Sequence, residues 1–247
     1  GGAVCPVVQD EASSWLAAYP ARQKTGEATY DAFKQYVGSN EKVVKLFYSD
    51  GAGELKKAAR DMGWRHDVAT PRRPQSNGVA ERAVQRVIQG TRVLLSQSGL
   101  EHGWWSEACQ CYAFLRNVQD RVKGDLTPHE LRHGTPFHGH RLPFGCAIEC
   151  KAHASAEANQ QLKFASKTRP GVFMVCQLHA GGKWSGYHLV EDAEAYARDP
   201  DRTNVYVHRV REIVPTLLPA LASPAPPAGD PVKRLAKRHQ VLPPLVA

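Results

Sequence analysis

The stretch from Gly78 to Ser98 repeats apolar residues at helical spacing: Val79, Ala83, Val87 and Leu94, flanked by Val84, Ile88 and Leu95. That broad apolar stripe predicts one amphipathic helix. At 1.5 Å per residue the helix would be about 31 Å long. A rod of that length must lay its stripe against another layer, so the chain needs a sizeable core around it. Gly99 directly follows the last periodic residues and reads as the stop. Gly90, inside the run, works against its continuity. In the loop 70–76 before it, Pro71 and Pro74 bias their preceding residues towards extended backbone. Asn77 is placed to cap the helix.

Taken in order, the other segments supply the layers. Residues 4–8 and 14–19 read as two short strands that could pair as a hairpin across 9–13. Residues 26–37 read as a helix with Gly38 as its cap, and 43–48 as a buried, β-rich strand. A short helix over 54–62, closed by Gly63, and a short strand over 66–69 lead into the proline-rich loop. A second long helix is expected over about 104–118. This alternation predicts a mixed α/β layer arrangement over 1–122. Residues 123–141 read as a connector, with a helical turn at Thr127-Pro128-His129-Glu130-Leu131. From 142 to 216, short β-type runs at 144–150, 171–178, 184–190 and 205–214 predict a small all-β barrel or sheet. Residues 217–247 hold repeated prolines and little periodicity, which predicts a disordered basic tail. Its Lys233-Arg234 and Lys237-Arg238 pairs form a basic cluster of the kind used for nucleic-acid or nuclear-targeting contacts.

Composition narrows the function classes. The chain has 247 residues and a net charge of +8. No apolar run approaches the roughly 18 to 20 residues of a membrane-spanning helix. No basic and apolar leader of the secretory type opens the chain; it begins Gly1-Gly2, which predicts a fragment of a longer reading frame. The six cysteines are scattered, which fits a reduced intracellular protein better than a disulfide framework. Cys146-x3-Cys150-x2-His153 lacks a second pair at zinc-finger spacing and reads as strand cysteines. The basic groups are densest over 65–92, where Arg65, Arg72, Arg73, Arg82, Arg86 and Arg92 surround Asp67 and Glu81. Such a cluster favours a polyanionic partner over a small neutral one.

Two acids frame that patch. Asp50 follows a strand-like run and Glu81 opens the long helix, so both sit where elements end at one surface. Carboxylates in such a place suit a hard divalent cation, which can activate an attacking oxygen at a phosphodiester. Each alone would be an ordinary surface acid. Gln75 and Asn77 can bond phosphates or base edges, or serve the loop and the helix cap. Arg72 and Arg73 read as phosphate contacts, and Arg82 either as another or as a packing stem. Gln85 lies one turn after Glu81 on the same face. Trp104 and Trp105 read as packing residues, and His66 as structural.

The run Tyr48-Ser49-Asp50-Gly51-Ala52-Gly53-Glu54, followed by Pro71-x2-Pro74-Gln75-Ser76-Asn77-Gly78-Val79-Ala80-Glu81-Arg82, closely resembles the integrase core of copia-type LTR retrotransposon Pol polyproteins. Trp104-Trp105-x-Glu107-Ala108, Asn117, Thr127-Pro128-x-Glu130 and Pro143-Phe144-Gly145 are similar to the segments that follow that core. The resemblance covers roughly 4–215. It implies an RNase H-like DDE core over 1–122, an SH3-like β domain over 142–216, and DNA integration by 3′-end processing and strand transfer. It also implies Mg²⁺ (or Mn²⁺) as cofactor, element ends and target DNA as partners, a homo-oligomer, and function in the nucleus. Asp50 and Glu81 match the family's second and third acids. Arg72, Arg73, Gln75, Asn77, Arg82 and Gln85 fall in its DNA-facing region, although Gln85 is neutral where integrases often carry a basic residue. Asp10 is a candidate for the first acid, but Gln9-Asp10-Glu11-Ala12-Ser13 is similar to the family's hairpin after the first core strand. The expected first acid, and the strand bearing it, then lie before Gly1. A catalytically inactive nucleic-acid-binding remnant is the alternative.

Overall fold

The computed structural model describes residues 3–39, 44–69, 78–151, 168–198, 207–219 and 245–246. The expected hairpin is present: β1 (Cys5–Gln9) runs antiparallel to β2 (Leu16–Ala18), with Val7 opposite Ala18 and Gln9 opposite Leu16. Its turn is built by Asp10, whose carboxylate accepts the Ser13 N–H at 2.8 Å and also the Ser13 hydroxyl. Helix α1 (Gly26–Val37) starts at Thr25, whose hydroxyl accepts the Ala28 N–H at 3.1 Å, and ends at Gly38. It buries Phe33, Tyr36 and Val37.

Strand β3 (Phe47–Ser49), helix α2 (Gly53–Asp61) and strand β4 (His66–Val68) form a strand–helix–strand unit, with the two strands parallel. β3 is shorter than the run 43–48 suggested, because Leu46 is largely exposed and only Phe47 to Ser49 pair with β4. Phe33, Phe47 and Trp64 bring three rings together under this unit, with centroids 4.9 Å apart for Phe33–Phe47 and for Phe33–Trp64.

Helix α3 (Gly78–Ser98) has the predicted bounds and runs through Gly90 without a break. The glycine has a packing role: a Cβ there would lie 2.1 Å from the Tyr112 ring. A 3₁₀ turn (His102–Trp104) leads into α4 (Trp105–Gln119), which packs on α3 and on β2. Asn117 of α4 is buried and bonds the β2 backbone both ways, accepting from Leu16 N–H at 2.9 Å and donating to Leu16 C=O at 2.7 Å. Trp104 and Trp105 are core residues, as expected.

The helical turn after Thr127 is α5 (Pro128–His133), held by a capping box between Thr127 and Glu130. Arg132 then ties α5 to both neighbours. Its guanidinium donates to Tyr36 C=O at 2.5 Å and Gly181 C=O at 3.1 Å, and lies over the rings of Trp15 and Tyr36.

Five antiparallel strands follow: β5 (Cys146–Lys151), β6 (Thr168–Leu178), β7 (Trp184–Asp192), β8 (Val207–Val210) and β9 (Ile213–Pro219). Their order is β8-β7-β6-β5-β9. The two outermost strands are therefore separated in sequence by only Arg211 and Glu212, so the sheet must curl until its edges meet at that corner. The single run expected over 205–214 is split there into β8 and β9. A short helix, α6 (Ala193–Arg198), was not expected; Asp192 starts it by accepting the Glu194 and Ala195 N–H groups, both at 2.9 Å.

One apolar cluster spans both halves. Leu16, Val87, Phe114 and Val118 share it with Val172, Phe173 and Cys176 of β6. At the far end of α3, a Cβ on Gly145 would lie 2.4 Å from the Ser98 Cβ, so the end of that helix sits against the entry to β5. The expectation of a disordered tail over 217–247 falls largely outside the described residues; at its start Leu217–Pro219 continue β9, and near its end β10 (Leu245–Val246) runs parallel to β1. No helix among the described residues is long and apolar enough to cross a membrane.

Candidate functional site

Asp50 stands at the first position beyond β3. The strand holds it there through Ser49, which is buried and whose hydroxyl lies 2.9 Å from His66 Nε2 of β4 and 3.2 Å from the Gly51 nitrogen. The Ala69 N–H donates to Ser49 C=O at 2.8 Å, closing the pair beyond its last register position. Gly51 turns the chain at φ 80°, where a Cβ would lie 2.4 Å from Val68 Cγ1, so the tight approach of the turn to β4 requires glycine. Asp50 itself is exposed, and its Oδ1 accepts the Ala52 N–H at 3.0 Å just before α2 begins. The carboxylate keeps its other oxygen on the surface, at the start of a helix whose dipole favours negative charge.

Two neighbours give this corner its electrostatics. The Lys56 ammonium lies 3.5 Å from where a Gly51 Cβ would be. Burial holds the His66 imidazole below its ordinary pKa, Lys56 lowers it further, and Asp67 partly opposes both. His66 therefore serves Ser49 as a neutral bonding partner. Lys56 is the residue that the sequence reading did not single out. Its only signal was position, since it falls in the first turns of the helix that follows Asp50.

Glu81 sits in the first turn of α3 and is exposed, as are Arg82 and Gln85. Arg82 folds back towards the helix start, its Nη1 lying 3.9 Å from where a Gly78 Cβ would be. Arg72, Arg73, Gln75 and Asn77 fall in 70–77, outside the described residues. Among the described residues no three His, Cys, Asp or Glu side chains gather as a metal-binding set. The Asp10 carboxylate accepts its two bonds from Ser13 inside the β1–β2 turn.

Two further histidines and the cysteines have packing explanations. His129 and His133 lie with their ring centroids 4.7 Å apart, and His133 sets its edge against Trp15 at 5.2 Å. Cys5, Cys109, Cys111 and Cys176 are buried, while Cys146 and Cys150 on β5 are half-buried. Burial raises the thiol pKa of Cys146 to about 11, which keeps it protonated.

No family model matches the chain. Its relatives are retrovirus-related Pol polyproteins of plant transposons. It is 27% identical to that of transposon TNT 1-94 from Nicotiana tabacum over 191 residues, which is 73% of this chain and 14% of the polyprotein. It is also 27% identical to that of transposon RE1 from Arabidopsis thaliana, over 73% of this chain and 12% of that one. For transposon RE2 of the same plant the identity is 28% over 54% of this chain and 10% of the polyprotein. The chain thus spans about one seventh or less of the length of these relatives. A solved structure similar to it is a simian T-cell lymphotropic virus intasome in complex with PP2A regulatory subunit B56 gamma, with a TM-score of 0.43, 15% identity, and coverage of 86% of this chain and 72% of that one.

Proposed function

We propose that this chain is the integrase segment of a copia-type retrotransposon Pol polyprotein, acting on DNA by 3′-end processing and strand transfer. The observation that carries the reading is the pair of motifs around Asp50 and Glu81, in a chain related over 73% of its length to plant-transposon Pol polyproteins. The strand–helix–strand unit bearing Asp50 and the long helix bearing Glu81 suit an RNase H-like core. The curled five-stranded sheet, with a two-residue link between its outermost strands, suits an SH3-like module.

The donor set fits a divalent metal in kind. Asp50 and Glu81 are exposed carboxylates at element ends, and hard cations such as Mg²⁺ or Mn²⁺ take oxygen ligands while keeping several waters. When bound, such an ion favours deprotonation of the attacking hydroxyl and stabilises the departing oxygen. In the reaction a hydroxyl oxygen forms a bond to phosphorus and the bridging 3′ oxygen leaves with its electron pair. The chain's own contribution is positional. Ser49 and His66 fix the turn from which Asp50 projects, α3 projects Glu81, and Arg82 and Gln85 offer donors to phosphate oxygens beside it. Arg72, Arg73, Gln75 and Asn77 belong to the same proposed DNA-facing surface, and assembly as a homo-oligomer on DNA in the nucleus belongs to the same reading.

A second reading, a nucleic-acid-binding remnant without catalysis, draws on Asp10, whose carboxylate accepts from Ser13 within the β1–β2 turn. One experiment separates the two. Strand transfer of a labelled duplex end into plasmid is measured with Mg²⁺ for a chain extended upstream, and again with Asp50→Asn and Glu81→Gln. Loss of product in both variants, with duplex binding retained, supports the enzyme. Unchanged transfer in either variant refutes the assignment of that acid, and no transfer by the extended chain leaves the remnant.

A further inference from the structure

The packing of α3 on α4 sets three arginines along one seam. Gly90 lies against Tyr112, and the two helices run back along each other from the 3₁₀ turn that joins them. One turn from that contact, on the side away from the joining turn, come Arg86 on α3 and Arg116 on α4. One turn further come Arg82 and Asp120. Arg116 Nη1 bonds Asp120 Oδ2 at 2.5 Å, but its Nε is buried and has no hydrogen-bond partner. Arg86 is half-buried and makes no ion pair with any described carboxylate. Burial, then the charges of Arg116 and Arg82, draw the Arg86 pKa down, while Tyr112 and Asp120 oppose them. Three guanidiniums thus share a surface with one carboxylate, and the innermost is held beside a like charge. Like charges placed together favour a bound anion, and the guanidinium fork matches the oxygens of a phosphate.

We propose that Arg82, Arg86 and Arg116 on the α3–α4 seam form a binding site for a backbone phosphate of duplex DNA. This rests on the DNA-binding reading above and adds to it a contact running away from Glu81 along α3. The seam reads no sequence, because phosphate contacts position a duplex without specifying bases. It extends the surface from the first turn of α3 to the last turn of α4, and neither Arg86 nor Arg116 was singled out as a DNA contact from the sequence.

The test is fluorescence anisotropy of a labelled 20-base-pair duplex against the full chain, titrated at several chloride concentrations. Arg86→Gln is compared with Arg60→Gln, an exposed arginine on α2. Losing one phosphate contact should lower the magnitude of the log K against log salt slope by about 0.9 and weaken binding about eightfold at 0.1 M salt. The effect should be the same for unrelated duplex sequences, and Arg60→Gln should show neither change. Without DNA, Arg86→Gln should melt at or above the temperature of the parent chain, because a like-charge contact has been relieved. A duplex-binding parent whose slope and affinity survive Arg86→Gln overturns the seam and leaves the DNA reading intact. A parent that shows no salt-dependent binding overturns both. A clear fall in melting temperature for Arg86→Gln assigns Arg86 a structural role and also overturns the seam.

Discussion

Replacing Asn117 by alanine should cost the fold far more than one surface-sized side chain suggests. Asn117 is 1% exposed, and its amide satisfies both the N–H and the C=O of Leu16, at 2.9 and 2.7 Å. A buried backbone group left without a partner costs about 1–3 kcal/mol. Two such groups give roughly 3 kcal/mol, counting the partial relief that small shifts allow. For a chain of this size each kcal/mol moves the melting temperature by about 2–4 °C, so Asn117→Ala should melt roughly 6–12 °C lower. The assay is urea unfolding followed by circular dichroism, with thermal melts alongside. Asn117→Asp supplies the sharper comparison. The introduced carboxyl can accept from the Leu16 N–H, but it can donate to the Leu16 C=O only when protonated, so its folded-state pKa should be raised. Its penalty relative to the parent should therefore be small at low pH and should grow as pH rises through the ordinary carboxyl range. A loss below about 1 kcal/mol for Asn117→Ala would mean that the two bonds do not tie α4 to β2. A penalty for Asn117→Asp that is flat with pH would refute the donor assignment.

Further outcomes follow from other contacts. Gly90→Ala normally favours a helix by about 1 kcal/mol, but here the new Cβ meets the Tyr112 ring, so the variant should be destabilised by about 1–3 kcal/mol. Chemical denaturation should show Gly90→Ala rescued by Tyr112→Ala, and a stabilised single variant would contradict the close approach. Burial, joined by the charges of His129, Arg132 and Lys183, pulls the pKa of His133 down to about 4; burial and His140 do the same for His188. Both stay neutral in the fold while the unfolded chain takes up protons near pH 6.5. Their stabilising contribution is complete above that value and is lost as pH falls towards about 4. The urea midpoint should drop across that window, less steeply in His133→Leu/His188→Phe; an unaltered slope in the double variant would argue against it. Thr127→Ala removes a capping box and should cost about 1 kcal/mol by the same assay, whereas Thr127→Ser should be nearly neutral.

The long helices were the most legible part of the chain. The stripe from Val79 to Leu95 repeats often enough to outvote Gly90, and Gly99 marks the end. Local chemistry also exposed α5, since Thr127-Pro128-x-Glu130 carries its own capping signal. Short strands were harder. The run 43–48 is mostly apolar and β-rich, and only pairing with β4 decides which three residues enter the sheet. The break at Arg211 and Glu212 is likewise set by the curl of the sheet, which no local pattern encodes. At the candidate site, Asp50 and Glu81 stood out through their neighbours in sequence. The contacts that hold Asp50 did not, because Ser49 meets His66 across seventeen positions and Lys56 approaches only through the turn at Gly51. The arginine seam was hidden for the same reason: Arg86 and Arg116 are thirty positions apart in sequence and become neighbours only through helix packing.

Helix α3 also constrains how this chain can vary in length. Its first turn presents Glu81 and its last residue, Ser98, abuts Gly145 at the entry to the β-sheet. Adding one residue between them would swing one end about 100° relative to the other and advance it by about 1.5 Å. The acid would then face a different direction from the sheet that anchors the helix. Insertions and deletions are thereby excluded from α3 unless they come in phase with its turns, and fall more readily in the loops, where no helix face has to be kept in angular register. Among such chains, the spacing from Glu81 to Ser98 should hold constant while the spacing from Asp50 to Glu81 drifts.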